Sequence, residues 1–291
     1  MQLSWKRFKP LTAAFMLLLH IGAGYAVWKL FFGSGFSAAA WIMFGLTWAA
    51  NVLFTTVVYH RYLTHKAFMV KSAKLTKAMY AGTTITFQGS VRDWGETHWR
   101  HHVYADVDGD PHRPSEFGGG LKGFLWAHMG WIFFELAPAP SPEYRPSPHF
   151  REDAALDWQA KYYLPLAIAL GFGVPFLVAG WNGLLLAGFL RTVLCLHLTW
   201  GVNSLCHVIG ALAEDSKGNP LETRRARNFP LHCLLNILAF LSGGEYWHAN
   251  HHARPRSALL GWNWSQLDPG GWVIRLGEKL GLFQNVEQPN V

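Results

Sequence analysis

The sequence predicts an all-α membrane protein: four transmembrane helices beneath a cytosolic helical cap that holds a histidine-rich site. Three observations predict it. Four apolar runs, at about 11–32, 37–58, 162–180 and 183–205, come close to or exceed the roughly 20 residues that cross a bilayer. They fall into two pairs, each joined by a tiny turn without Lys or Arg, Gly33-Ser34-Gly35 and Gly180-Trp181-Asn182. Charged residues are 15% of the 291 and apolar ones 51%, whereas a soluble domain carries about 25% charged residues.

The elements follow in order. Lys6, Arg7 and Lys9 precede the first run. That run is longer than a signal-peptide core, has no clear small-residue cleavage site and is followed at once by a second run, so it reads as a retained span. The second span leads into His60 and His65, spaced H-x-x-x-x-H. Residues five apart lie about 140° apart on an ideal helix. The two share a face only if the helix bends or ends between them, and the helix is expected to project beyond the membrane here. Residues 66–160 are mixed, with a semi-apolar stretch at 73–89. Leu121–Leu136 is apolar but short for a span and reads as an interfacial or buried helix. Residues 137–150, rich in Pro and Ser, read as a loop. The third span holds Pro165 and Pro175, which membrane helices tolerate. The fourth contains Arg191, His197 and Asn203 and reaches His207. Residues 59–161 and 206–291 form the cap of one domain covering 1–291.

An even number of spans places both termini, the middle region and the tail on one side. Lys6, Arg7, Lys9, Arg61, Lys66, Lys71, Lys74 and Lys77 crowd that side, so the positive-inside rule puts it in the cytoplasm. The formal charge of +7 suits loops facing an anionic leaflet. No concentrated basic helix or tail points to nucleic acid. Cys195, Cys206 and Cys233 form no C-x-x-C pair and read as small buried hydrophobes rather than a disulfide framework.

The chemistry lies in the histidines. His98-Trp99-Arg100-His101-His102 and His248-Ala249-Asn250-His251-His252 share the pattern H-x-x-H-H. At about 100° per residue, positions i, i+3 and i+4 present three imidazoles from one helical face. With His60 and His65 this makes eight, more than one ion needs, so a two-metal site is expected. His207 is a candidate ninth ligand. Asn203, one turn earlier, can bind through its amide oxygen or hold a coordinated water. His20, His149, His197 and His232 stand alone and read as surface or satisfied core residues. Catalytic zinc takes three protein ligands and an open position, and H-E-x-x-H is absent. An all-nitrogen two-metal site at a membrane surface suits redox iron and dioxygen better. Asp106, Asp110 and Glu245 lie beside the boxes and are expected to orient the imidazoles.

The order of the three boxes among these spans resembles the membrane fatty acyl desaturases of the stearoyl-CoA (delta-9) type. Further matching words are Trp94 before the second box, Asp108-Gly109-Asp110-Pro111-His112 after it, His128-Met129-Gly130-Trp131, Asn203-Ser204-Leu205-Cys206-His207 and Gly244-Glu245 before the third. The tail Trp262-Asn263-Trp264-Ser265-Gln266-Leu267-Asp268-Pro269 is similar to bacterial members. The resemblance covers about 37–283. It implies a mushroom-like fold and a di-iron centre held by nine histidines, with Asn203 contacting one iron through water. The implied reaction inserts a cis double bond, expected at Δ9, into a saturated acyl chain, using dioxygen and two electrons. No domain for a fused electron donor is apparent, so a separate ferredoxin-type or cytochrome donor with its reductase is implied, in a bacterial inner membrane.

Such a reaction needs an apolar tunnel that holds one methylene at the metals. Trp94 is expected in its wall, and Phe44 and Trp48, one turn apart on the second span, at its far end. Animal acyl-CoA members carry Arg two residues before the second box and Arg-Lys after the Gly-Trp element. Here Glu96, and Glu135 with Leu136, stand in those places. The carrier is thus either CoA, gripped by Arg100 or Arg113, or a phospholipid. Two other classes compete: a di-iron hydroxylase or alkane monooxygenase, and a non-catalytic metal-binding or transport protein. Transport would need a polar path through the spans, and His20, Asn51, Arg191 and His197 are too few and scattered in the sequence to form one.

Overall fold

Proline in the first turn of helix α1 (Pro10–Phe32) replaces an N–H that has no helical partner, and the helix ends at Gly33. This computed structural model describes residues 5–147, 150, 153–214, 218 and 220–289; His149 lies outside them. Helix α2 (Ala38–Leu53) starts at Ser37, whose hydroxyl accepts the Ala40 N–H. It runs on without a break as a π-helix, Phe54–Thr64. Then come β1 (Met69–Val70), α3 (Ala73–Thr83), α4 (Val91–Tyr104) and α5 (Gly120–His128), which leads into a 3₁₀ turn at Gly130–Phe133. The apolar, aromatic stretch after Gly120 is therefore a short helix, as its length predicts.

Helix α6 (Ala154–Ile168), a π-segment (Ala169–Gly173), α7 (Val174–Gly183), a further π-segment (Leu184–Leu190) and α8 (Arg191–Val208) belong to one 55-residue apolar helical run. It is broken where Ala179 leaves helical angles and Gly180 takes φ 58, a left-handed value that glycine adopts without penalty. The predicted Gly180-Trp181-Asn182 turn falls at this break. The third helix starts eight residues before the predicted 162, because Asp153 caps it by accepting the Ala155 and Leu156 N–H groups. The rest is β2 (Ala211–Glu214), β3 (Pro220–Arg225), α9 (Phe229–Ser242), α10 (His248–Ala253), α11 (Pro269–Lys279) and β4 (Phe283–Gln284). β1 pairs antiparallel with β4, and β2 with β3. These two small ladders are additions to the all-α expectation; each pairs two short strands and neither forms a layer.

Three helical runs, 10–32, 38–64 and 154–208, are long and apolar enough to cross a membrane. Leu11, Leu17, Ile21, Phe31, Phe32, Leu177 and Trp181 stand exposed on them, an apolar surface that lipid covers. The protein is membrane-associated and mostly helical. One core joins α1, the 3₁₀ turn after α5 and α8, through Met16, Leu19, Ile132, Leu196 and Trp200. A second joins the π-segment of α2 to α3, α6 and α11, through Tyr59, Leu63, Phe68, Tyr80, Leu156 and Ile274.

A buried charge clasp ties the tail to that π-segment. Arg61, 1% exposed, meets Asp268 at 3.1 and 2.8 Å and gives further hydrogen bonds to the Ala258 and Gly243 carbonyls. Asp268 also accepts the N–H groups of Leu260, Gly261 and Gly271. A side chain at Gly244 would wedge between Arg61 and Asp268, and its φ of 107 already favours glycine. Asp268→Ala should strip a buried guanidinium of its close carboxylate, leaving Glu245 at 3.8 Å, and leave three N–H groups unpaired, destabilising the protein by about 3–5 kcal/mol. Thermal unfolding of the detergent-purified protein checks this: the midpoint is expected to fall by roughly 10 °C, and clearly less in Asp268→Asn.

Candidate metal centre

Four elements deliver the histidines. The π-winding of Phe54–Thr64 closes i→i+5 hydrogen bonds, as in His65 N–H to His60 C=O at 3.2 Å. Residues five apart then come onto one face, and the His60 and His65 rings sit 5.0 Å apart. Helix α4 carries His98, His101 and His102. It is capped by Ser90, which accepts the Asp93 N–H while its hydroxyl bonds the Asp93 carboxylate. Helix α8 brings His207 and Asn203. The short α10 brings His248, His251 and His252, launched by the positive-φ pair Gly243-Gly244.

The ring nitrogens converge in two groups. His60, His65, His98, His102 and His251 form one; His101, His207, His248 and His252 form the other; within each, the candidate ligand atoms lie within 4.8 Å of one another. Successive Nε2 atoms are 3.0 Å apart for His60–His251, 2.9 for His251–His102, and 3.1 for His102–His98 and His98–His65. In the second group they are 3.1 Å for His207–His248 and His248–His252, and 3.3 Å for His252–His101 across to α4. Adjacent ligands at about 2.1 Å from a metal have this spacing.

The opposite nitrogens show which way the lone pairs point. His60 Nδ1 lies 2.6 Å from Glu245 Oε2, His101 Nδ1 3.0 Å from Asp110 Oδ2, and His207 Nδ1 3.0 Å from Asp106 Oδ2. A carboxylate only accepts, so each Nδ1 carries the proton and each Nε2 is left as an inward lone pair. The Nε2 lone pairs of these three rings then face the Nε2 atoms of His251, His252 and His248 at 3.0, 3.3 and 3.1 Å, an arrangement that a cation satisfies. The residues fit two metal ions. Burial, and next the neighbouring imidazoles, hold His98, His101, His248, His251 and His252 well below the usual histidine range, and push His102 down to about 3. All stay neutral, as ligands must. Glu245, hydrogen-bonded by Thr56, is held below its ordinary value because His60 and Arg61 outweigh its burial. Asp106 adopts φ 56, which aspartate tolerates, and its N–H bonds Asp110 at 2.8 Å.

A cavity of about 630 Å³ reaches this centre, lined there by Trp94, His98, His112 and Asn203. Elsewhere its wall is mostly apolar: Phe15, Met16, Phe87, Ile132, Leu196 and Trp200. At the Lys9 and Thr97 end it adjoins a second cavity of about 270 Å³. Trp94 stands in this wall beside His98. Phe44 and Trp48 do not line this cavity; they stack on each other at 5.6 Å.

Sequence reasoning missed Gln88. It accepts from Trp94 Nε1 at 3.0 Å and donates to Thr55 and Thr199 at 3.1 and 3.3 Å, bridging three elements in the cavity wall. A polar residue between Phe87, at φ 57, and Gly89 was the available signal. His112, which the sequence shows only within the Asp108–His112 word, is buried, packs against the His101 ring at 4.4 Å and lines the cavity. His232 lies beside Asn236 and Trp247. His20 and His197, which stand alone in the sequence, meet in the structure, with Nε2 atoms 3.0 Å apart.

Comparison with known proteins agrees with this geometry. The family model described as fatty acid desaturase matches residues 38–276. The chain is 34% identical over 291 residues to a protein of Anabaena variabilis named sn-1 stearoyl-lipid 9-desaturase, covering 98% of this chain and 94% of that one. It is 31% identical to an sn-2 palmitoyl-lipid 9-desaturase of Nostoc sp., covering 98% and 90%, and 32% identical to an acyl-CoA C20 Delta5-desaturase of Anemone leveillei, covering 99% and 86%. The chain belongs to the fatty acid desaturase family.

Two outcomes follow from the ligand geometry. Glu245→Gln should free His60 to turn and weaken metal binding by about 10–100-fold, measured by competition with a chelator. The metal-free protein should lose stability as pH falls from about 6.5 toward 3. Its buried imidazoles titrate far below those of the unfolded chain, so the unfolded state binds more protons in that window and stability rises with pH. Unfolding midpoints at pH 7 and pH 5 check the sign.

Proposed function

We propose that this membrane enzyme inserts a cis double bond at Δ9 into a saturated acyl chain carried by a membrane glycerolipid. The observation that carries this is the apolar cavity ending against the histidine groups at Asn203 and His98. The balance is –CH2–CH2– plus O2, two electrons and two protons giving –CH=CH– and two waters. The family membership supports oxygen-dependent desaturation, and the names of the Anabaena and Nostoc relatives support Δ9 and a lipid carrier.

His60, His65, His98, His102 and His251 would hold one iron; His101, His207, His248 and His252 would hold the other, with Asn203 reaching it through water. Bound there, the irons supply the oxidising power that removes hydrogen from an unactivated methylene. The chain's own residues do the rest. The apolar walls exclude water from the acyl chain. Gln88 fixes Trp94 against α2 and α8, so the cavity keeps one shape beside His98. Asp106, Asp110 and Glu245 hold the Nδ1 protons that keep the lone pairs inward.

The carrier reading rests on charge. CoA would bring several phosphates, which need free cations. Arg100 gives its N–H groups to the Gly109, Ala137 and Pro138 carbonyls. Arg113 is taken by Glu116 and Asp108. Lys9 at the junction of the two cavities faces Glu135 and Asp93. A lipid-borne chain needs no such cluster. The break at Gly180 supports four spans with both termini and the cap in the cytoplasm, in one domain of a multi-pass bacterial inner-membrane protein. A separate ferredoxin-type or cytochrome donor would supply the electrons.

The test is expression in a host with saturated-rich membranes, with His251→Ala as control and mass spectrometry of lipid and acyl-CoA pools separately. The expected result is new cis-Δ9 chains in glycerolipids, absent in the control. Hydroxylated chains would move the protein to the monooxygenases; unsaturation appearing first in acyl-CoA would overturn the carrier.

A further inference from the structure

Three histidines outside the metal centre form a string. His20 Nδ1, on α1, is 2.6 Å from the Met16 carbonyl; His20 Nε2 is 3.0 Å from His197 Nε2, on α8. His197 Nδ1 is 2.9 Å from Nε2 of His128, which ends α5, and His128 Nδ1 is 3.0 Å from the Ser204 hydroxyl. In the metal centre, Nε2 atoms gather on common points. Here His197 offers its two nitrogens to different neighbours in a line, so the three rings are not a ligand set.

The proton positions follow from one end. A carbonyl only accepts, so His20 carries its proton on Nδ1. With neutral rings its Nε2 then accepts from His197 Nε2–H. His197 Nδ1 accepts from His128 Nε2–H, and His128 Nδ1 is left to accept the Ser204 hydroxyl proton, which otherwise faces the Trp200 carbonyl at 3.2 Å. All four bonds run in one direction, and no ring can flip without breaking two of them. Polar groups left unpaired within a membrane are costly, so the string is stiff.

Its links are attached to the walls of the acyl cavity. Met16, the terminal acceptor, lines the cavity, as do Leu196 beside His197 and Trp200, whose ring is 5.2 Å from that of His197. His128 leads directly into the 3₁₀ turn that carries the lining residues Trp131 and Ile132. Ser204 is buried next to Asn203. We propose that the His20–His197–His128–Ser204 string positions the α1, α5 and α8 walls of the cavity against one another, and so sets which pair of methylenes meets the metal centre. This rests on the desaturase reading.

The test compares His197→Phe, which keeps a ring but breaks the string, with His197→Gln, whose amide offers one donor and one acceptor as the ring does. Wild type should give a single double-bond position. His197→Phe should bind iron normally but place about a fifth or more of its double bonds at neighbouring carbons, since small misplacements alter reaction at a bound atom strongly; His197→Gln should restore the single isomer. A single isomer from His197→Phe, at the wild-type position, would overturn the proposal. If His197→Phe does not accumulate, His20→Phe at the string's end is read in the same way. A wild type that forms no unsaturated product would sink the desaturase reading instead. The string is then judged by nitrogen-15 spectra of its imidazoles in bilayers: protons on Nδ1 of His20 and on Nε2 of His197 and His128 support it, and a proton on Nδ1 of neutral His197 or His128 overturns it.

Discussion

The structure depends on a single constraint: imidazoles from four distant segments must keep their Nε2 lone pairs pointed at two small volumes. Without a cation, such an arrangement is repulsive. It is held by partners on the far side of the rings, where Glu245, Asp110 and Asp106 fix the Nδ1 protons of His60, His101 and His207. Those carboxylates are in turn held. Thr56 bonds Glu245, the Asp106 N–H bonds Asp110, and Arg61 stands between Glu245 and Asp268. A network of this kind is stable only when every member is satisfied. That explains why a buried Arg–Asp pair, seldom a gain in stability by itself, sits directly behind the third histidine box.

The membrane helices act as posts for this network. The α2 run carries His60 and His65 beyond its apolar part, and α8 does the same for Asn203 and His207. Helix α4 and the single turn of α10 close the site from the other side. The cavity lies between α1, α8 and the α5 turn, and its end at Trp94, His98 and His112 belongs to α4 and the segment after it. Arg191, buried on α8, makes hydrogen bonds to the Ala187, Ile85 and Gly171 carbonyls and ties α8 to the turn after α3 and to the 169–173 segment, where lipid offers no partner.

The boxes, the apolar runs and the Gly180 turn were legible in the sequence because each is a local pattern: a spacing, a length, a breaker. His207 and Asn203 were legible from helical phase. His60 and His65 could be named but not placed, since an α-helix keeps them on different faces and π-winding leaves no clear mark in composition. The His20, His197 and His128 string was invisible because its members come from three segments brought together only by packing. Phe44 and Trp48 share a helix face, as predicted, yet helical phase cannot say whether a face meets a cavity or a neighbouring ring. Arg100 and Arg113 looked available for phosphates in one dimension; in three, carbonyls and acids already occupy them.

The central claim is that nine imidazoles, in sets of five and four, hold two irons. The most direct measurement is iron content together with iron K-edge X-ray absorption on the purified protein. The account predicts about two irons per chain, each in a nitrogen and oxygen shell at about 2.0–2.2 Å with no sulfur. One iron per chain at saturation, or a shell containing sulfur from Cys206 or Cys195, would contradict it.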